Sequence, residues 1–199
     1  MVTSASLEAG RDSIAVVGLG YVGLPLAIHL SRHFKVVGYD LKQARIDELR
    51  AGRDRTLEVD AEVLQASALQ FTADPAALAS CRLIIVAVPT PVTSAKEPDL
   101  SPLVAASETV GKVLGPGTVV VYERTVYPGV TEDVCRPILE RESGLKLGEF
   151  GLGYSPERIN PGDKAHRVSN ILKVTSGSTP ETADFVDSLY ASIIEAGTY

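Results

Sequence analysis

Tryptophan is absent from this sequence, methionine occurs once, and there are only two cysteines and three histidines in 199 residues. The two cysteines, Cys81 and Cys135, have no metal-ligand spacing, which leaves free thiols or a disulfide between them. The first dozen residues lack the apolar core of a secretion signal, so reduced thiols in a cytoplasmic protein are expected. His29 and His33 stand four apart on a helical pattern, but nothing suggests a third ligand, and His166 lies among Lys164 and Arg167. No metal is therefore expected. The longest apolar runs, such as Leu83 to Val88, have strand length and are far too short to span a bilayer, which excludes a membrane partner of that kind. No basic cluster offsets the net charge of −6, so no nucleic-acid partner is expected either. Repeats and low-complexity segments are also missing.

What is present is the composition of one globular domain, 45% hydrophobic and 22% charged. The chain is organised around Ile14 to Gly23. Ile14 to Gly18 suit a buried parallel strand, and Gly18, Gly20 and Gly23 have the spacing G-x-G-x-x-G. Tyr21 to His33 then carries Val22, Leu26 and Leu30 at helical spacing. Strand, glycine turn and helix together specify a dinucleotide-binding turn. Gly18 makes the tight turn, Gly20 admits a pyrophosphate, and Gly23 lets the helix pack close to the strand. The helix N-terminus offers free N–H groups to the phosphates. A second strand, Lys35 to Tyr39, leads to Asp40, twenty residues after Gly20. A carboxylate there accepts ribose hydroxyls and repels a 2′-phosphate, which favours NAD over NADP. The alternative is a turn that only packs a helix on a strand.

Further along, the pattern predicts a helix over Lys42 to Ala51 with Ala44, Ile46 and Leu49 inward, and a short helix within Glu58 to Ser67. Next come a strand at Leu69 to Thr72 and a helix at Pro75 to Ser80 capped by Asp74. Leu83 to Val88 reads as a central strand. Pro89 to Pro102, with four prolines, reads as a long loop. The pattern continues with a helix over Leu103 to Leu114, a strand at Thr118 to Tyr122, a helix over Val130 to Glu140 and a strand at Phe150 to Tyr154. Ser155 to Asn170 has no periodicity. Ile171 to Thr175 reads as a strand, and Thr179-Pro180 opens a last helix. Residues 1–12 read as a loose polar lead-in, and 13–199 as the domain. The alternation implies an α/β, Rossmann-type doubly wound, mainly parallel sheet with helices on both faces.

In such a sheet the segments just after the strands gather at one edge, where ligands bind. Those segments are the glycine turn, Asp40, Pro89-Thr90-Pro91, Glu123 to Gly129 and Tyr154 to Asn170. Thr90 and Thr125 are candidates for the nicotinamide half, against an ordinary role as turn hydroxyls. Glu157 could relay a proton from a reacting alcohol through water, against a solvated loop charge. Arg158 could meet a diphosphate, against a surface ion pair. Arg45 lies near the adenosine pocket, against a solvated helix charge. Neither cysteine comes after a strand that leads into the cleft.

Four stretches carry a resemblance: Ile-Ala-Val-Val-Gly-Leu-Gly-Tyr-Val-Gly-Leu-Pro-Leu-Ala (14–27), Val-Pro-Thr-Pro (88–91), Glu-Arg-Thr-Val-Tyr-Pro-Gly (123–129) and Gly-Tyr-Ser-Pro-Glu-Arg-Ile-Asn-Pro-Gly-Asp-Lys (153–164). From about residue 12 to 199 the chain resembles the UDP-glucose/GDP-mannose dehydrogenase family. It is most similar to the branch acting on UDP-N-acetylhexosamines, with UDP-N-acetylglucosamine ahead of UDP-N-acetylmannosamine or UDP-glucose. The resemblance implies oxidation of a sugar C6 hydroxyl to a carboxylate with two NAD, for surface polysaccharide synthesis, and a homodimer or larger assembly of the full-length enzyme. It implies NAD contacts from Tyr21, Val22, Asp40, Arg45, Thr90 and Thr125, and a catalytic water held by Thr125. Glu157 would stand near the sugar, with Arg158 and Ile159 at substrate-loop positions. The UDP-glucose branch has a second glutamate four residues after the first. Here that position is Pro161. Family members continue into further domains that hold a catalytic cysteine and a lysine, so this chain is expected to be the cofactor-binding portion of a longer enzyme. A non-catalytic NAD-sensing module is the reading from another class; it would have no use for the Ser155 to Asn170 loop.

Overall fold

The computed structural model describes residues 1–92, 96–157 and 172–199. Its centre is a seven-stranded sheet in the order β3-β2-β1-β4-β5-β6-β7, with β1 at Ile14–Val17, β2 at Val36–Tyr39 and β3 at Gln70–Thr72. The other strands are β4 at Leu83–Val86, β5 at Val119–Tyr122, β6 at Gly151–Tyr154 and β7 at Ser176–Gly177. Strands β1 to β6 are parallel, and β7 alone runs antiparallel to β6. The chain works outward from β1 to β3, then returns to place β4 against the other side of β1. The junction of β1 and β4 is therefore the switch point of the sheet.

Every residue of β1, β4 and β5 is buried, without the alternation of a half-exposed strand, because helices cover both faces. Ile14, Val16, Leu83, Ile85, Val119 and Val121 project into one layer. That layer is completed by α2 (Gly23–Leu30), α3 (Gln43–Arg50) and α7 (Pro180–Ala191). The neighbouring residues Ala15, Val17, Ile84, Val86, Val120 and Tyr122 project the other way. They meet α5 (Ser101–Gly111) and α6 (Arg136–Ser143). Short helices α1 (Ser4–Glu8) and α4 (Ala61–Ala66) and a 3₁₀ segment, Pro75–Ser80, complete the fold. Asp74 caps the 3₁₀ segment by accepting from the Ala76 N–H at 2.9 Å, and Thr179 caps α7 by accepting from the Thr182 N–H at 3.2 Å.

The structure departs from the sequence pattern at four places. The lead-in is not loose. Thr3 and Ser6 form a reciprocal capping box on α1, the Val2 N–H donates to the Gly117 carbonyl at 2.9 Å, and Leu7 is fully buried against α7. In α3 the inward positions are Arg45, Ile46 and Leu49, while Ala44 is exposed. The segment ahead of α6 is π-helical over Val130–Cys135. Pro137 at the start of α6 has no N–H and its ring crowds the carbonyl four residues earlier, which an α-helical turn would need. The strand expected at Ile171 to Thr175 is displaced. Ile171 lies outside the described residues, Leu172 is exposed, and β7 begins at Ser176. Lys173 and Thr175 instead bond the carboxyl-terminal stretch, through Lys173 N–H to Gly197 O at 3.0 Å and Thr175 N–H to Tyr199 O at 3.0 Å.

Leu7→Ala should destabilise the fold by about 2–5 kcal/mol, the range for truncating a buried leucine. Urea denaturation measures it. A change near zero would return residues 1–12 to the status of a loose lead-in.

Candidate dinucleotide site

The glycine turn is built by close approaches that exclude side chains at two positions. Gly18 has φ +95°, and a Cβ there would stand 3.1 Å from the Ala87 backbone on β4's exit. A Cβ on Gly23 would lie 1.8 Å from the Gly18 carbonyl oxygen. The first turn of α2 can thus sit on the end of β1 only with glycine at both. Gly20 differs, since apart from its chain neighbours no described residue has a heavy atom within 4 Å of its Cβ position. Its freedom from a side chain answers no need of the protein's own packing. Open space at that position, in front of the N-terminus of an eight-residue helix, is where a pyrophosphate fits.

The turn is clamped from β2 and α3. Asp40 Oδ2 accepts from the Leu19 N–H at 3.0 Å and Oδ1 from the Lys42 N–H at 2.9 Å. A carboxylate has about four acceptor positions, so two remain for a ribose. Arg45 is buried rather than solvated. Its Nε donates to the Leu19 carbonyl at 2.9 Å, Nη1 to Glu48 at 2.8 Å and Nη2 to Asp54 at 2.7 Å. Both polar groups of the Leu19 peptide are therefore fixed from the β2–α3 side. Asp54 also accepts from Thr56, Glu58 and Val59. Burial pushes its carboxyl upward, but the hydrogen bonds from Thr56 and Arg45 outweigh this and leave it below the usual carboxylate range.

At the other end of the crevice a group of charges is packed beneath the exits of β5 and β6. Glu123 comes directly after β5, is wholly buried, and accepts from Lys173 Nζ and the Tyr190 hydroxyl. Burial raises the Glu123 carboxyl, with the Lys173 ammonium pulling the opposite way. Lys173 Nζ lies 3.6 Å from Glu157 Oε2 and 5.4 Å from the Tyr190 ring centre. Thr125 donates its hydroxyl proton to the Glu157 carbonyl. Glu157 is thus 9% exposed, not a solvated loop charge. Thr90 is half-buried just past β4. Arg158, Ile159 and Pro161 lie outside the described residues.

The sequence pattern does not single out Glu123, Arg124, Lys173 or Tyr190 as site residues, although Glu123 and Arg124 belong to the segment Glu123 to Gly129 expected at the cleft edge. The available signals were a Glu-Arg pair directly after a strand and a lysine inside the apolar run 171–174. Cys81 and Cys135 are both buried. Burial raises the Cys81 thiol and pushes the Cys135 thiol up to about 11. His29 is tied through Nε2 to the Ile193 carbonyl at 2.7 Å, which requires the proton on that nitrogen. Among the described residues no group of three or more His, Cys, Asp or Glu could hold a metal, and no helix is long and apolar enough to cross a membrane.

The family model for the NAD-binding domain of UDP-glucose/GDP-mannose dehydrogenases matches residues 12–194. The chain belongs to this family. It is 62% identical over 188 residues to a UDP-N-acetyl-D-glucosamine 6-dehydrogenase of Pseudomonas aeruginosa, covering 94% of this chain and 44% of that protein. A protein of the same name from Salmonella typhi is 54% identical over the same shares. Among solved structures, the UDP-D-ManNAc dehydrogenase of Pyrococcus horikoshii superposes with a TM-score of 0.85 at 33% identity, over 94% of this chain and 46% of that one. The chain thus spans less than half the length of these dehydrogenases, and the part it matches is their NAD-binding domain.

Gly20→Val should abolish NAD binding while leaving the fold intact, because a side chain there fills ligand space only. Gly23→Ala should destabilise the domain through its clash with the Gly18 carbonyl. Calorimetric NAD titration and circular dichroism on both variants separate the two effects; undiminished affinity in Gly20→Val would overturn the pyrophosphate placement.

Proposed function

We propose that this chain is the cofactor-binding part of an enzyme that oxidises the C6 hydroxyl of a UDP-N-acetylhexosamine, with UDP-N-acetylglucosamine as the first choice. The observation that carries the substrate reading is the 62% identity, over 94% of this chain, to a UDP-N-acetyl-D-glucosamine 6-dehydrogenase. Residues 13–199 form the NAD domain in this reading. The site's own residues fit the cofactor: open space at Gly20, a helix N-terminus behind it, and a carboxylate with free acceptor positions at Asp40.

Taking an alcohol to a carboxylate removes two hydrides and adds one water oxygen. NAD, when bound, supplies the hydride acceptor. Gly18, Gly20, Tyr21, Val22 and Gly23 present the backbone to its diphosphate, and Asp40 holds the adenosine ribose. Arg45 acts in this reading through the Leu19 carbonyl, fixing the turn beside the adenosine. Thr90 and Thr125 face the nicotinamide half. Thr125 and Glu157 are the catalytic pair, their shared hydrogen bond holding the exits of β5 and β6 together. Glu157 takes up the proton of the reacting alcohol through water. The Lys173 ammonium stands beside it, 3.6 Å from Oε2. Arg158 and Ile159 contact the UDP-sugar. The full-length enzyme acts as a homodimer or larger assembly.

Two results test this reading. NAD should bind at least tenfold more tightly than NADP, and Asp40→Ala should shrink the difference, since both the ribose bonds and the repulsion of a 2′-phosphate come from that carboxylate. Equal affinities in the wild-type chain would mean that Asp40 faces away from the ribose. Secondly, the chain alone, given NAD and UDP-N-acetylglucosamine, should yield no uronic acid. The second oxidation needs a thiolate to capture the aldehyde, and both thiols here are buried and protonated at neutral pH. Neither should react with iodoacetamide in the folded state. Two NADH per sugar would place the chemistry within these 199 residues.

A further inference from the structure

Arg124 is a charged residue of the cleft to which neither cofactor nor substrate binding has assigned a role. It stands two positions beyond β5, and its side chain reaches back to the glycine turn at the end of β1. The guanidinium carbon lies 5.5 Å from the centre of the Tyr21 ring, and Nη1 is 3.3 Å from the Tyr21 hydroxyl. Because β4 separates β1 from β5 in the sheet, this contact crosses the switch-point crevice. The residue is 7% exposed. Its Nε–H is buried with no acceptor among the described residues, and no carboxylate among them pairs with it. A buried guanidinium held by one long hydrogen bond and one aromatic face is under-satisfied. Such groups are costly unless a ligand completes them.

We propose that Arg124 is a cofactor-binding residue that sets the preference between oxidised and reduced nicotinamide. The inference rests on the reading of this crevice as an NAD site. With the adenosine half at Asp40, the other half of a dinucleotide lies over the ends of β4 and β5, beside this guanidinium. That half offers carboxamide and ribose oxygens, which the unpartnered N–H groups of Arg124 can reach as donors. The oxidised ring is a cation and the reduced ring is neutral. The two forms present the same oxygens, so loss of hydrogen bonding weakens both. Loss of the positive charge favours the oxidised form alone. Glu123, Glu157 and Lys173 stand at the same edge. Substitution of Arg124 leaves them in place, so their effect cancels when ratios are compared.

Titration of the wild-type chain and of Arg124→Gln, Arg124→Met and Arg124→Lys with NAD+ and with NADH tests this. The Met variant keeps the apolar stem against Tyr21 should the Gln variant fail to fold. Removing the charge should lower the ratio Kd(NAD+)/Kd(NADH) on the order of tenfold, as for unit charges about 10 Å apart at an effective dielectric of about 20. Arg124→Lys should keep the wild-type ratio while binding both forms more weakly. Equal weakening of both forms in a folded neutral variant overturns the proposal, as does an unchanged ratio. Failure of the wild-type chain to bind either form overturns the NAD reading itself, and this inference with it.

Discussion

The close approach of the Gly18 carbonyl to Gly23 is the constraint on which the rest of the structure depends. A Cβ on Gly23 would lie 1.8 Å from that oxygen. Only without one does α2 start directly over the end of β1, with its unpaired N–H groups turned toward the crevice. The apolar face of α2 then fixes one layer of the core through Leu24, Leu26 and Leu30, all fully buried. The same approach leaves the peptide of Leu19 projecting toward β2. There Asp40 and Arg45 hold its N–H and its carbonyl. Sheet, helix and ligand-facing turn are therefore one mechanical unit.

The two ends of the crevice solve different electrostatic problems. At the end formed by β2 and α3 a buried arginine is matched by Glu48 and Asp54, and its remaining bond holds backbone. Breaking such a pair on one side costs several kcal/mol because it strands the partner charge. At the end formed by the exits of β5 and β6 the charges share one cation. Lys173 is shared between two carboxylates, one of which, Glu123, is sealed off by Tyr190. The other, Glu157, is also buried, with Oε2 3.6 Å from the same ammonium.

Strand order brought these groups together: β5 and β6 run parallel, and the antiparallel β7 starts beside the end of β6, which returns Lys173 to the same edge. Thr125 and Glu157 are 32 positions apart in the chain and Glu123 and Lys173 are 50 apart. β5 and β6 lie side by side in the same direction, from Val119↔Gly151 to Tyr122↔Tyr154. The segments leaving the two strands therefore emerge side by side at one edge of the sheet, where Thr125 and Glu157 meet.

Much of this was determined by the sequence alone. G-x-G-x-x-G between an apolar strand and a helical pattern specifies its turn through local backbone geometry. Asp40 is set by the length of one βαβ step, and Thr179-Pro180 marks a helix start by capping chemistry. The cleft edge is a consequence of alternation, because parallel strands admit only one carboxyl-terminal side. Tertiary structure alone decided which charges are buried. Arg45 reads identically as a solvated helix charge or a buried clamp, and only packing against Leu19 and Asp54 distinguishes them. Lys173 and Tyr190 belong to different local patterns, and neither pattern encodes that Glu123 lies between them. Periodicity reports the face of an element, whereas the partner across a core depends on the register of elements far apart in the chain.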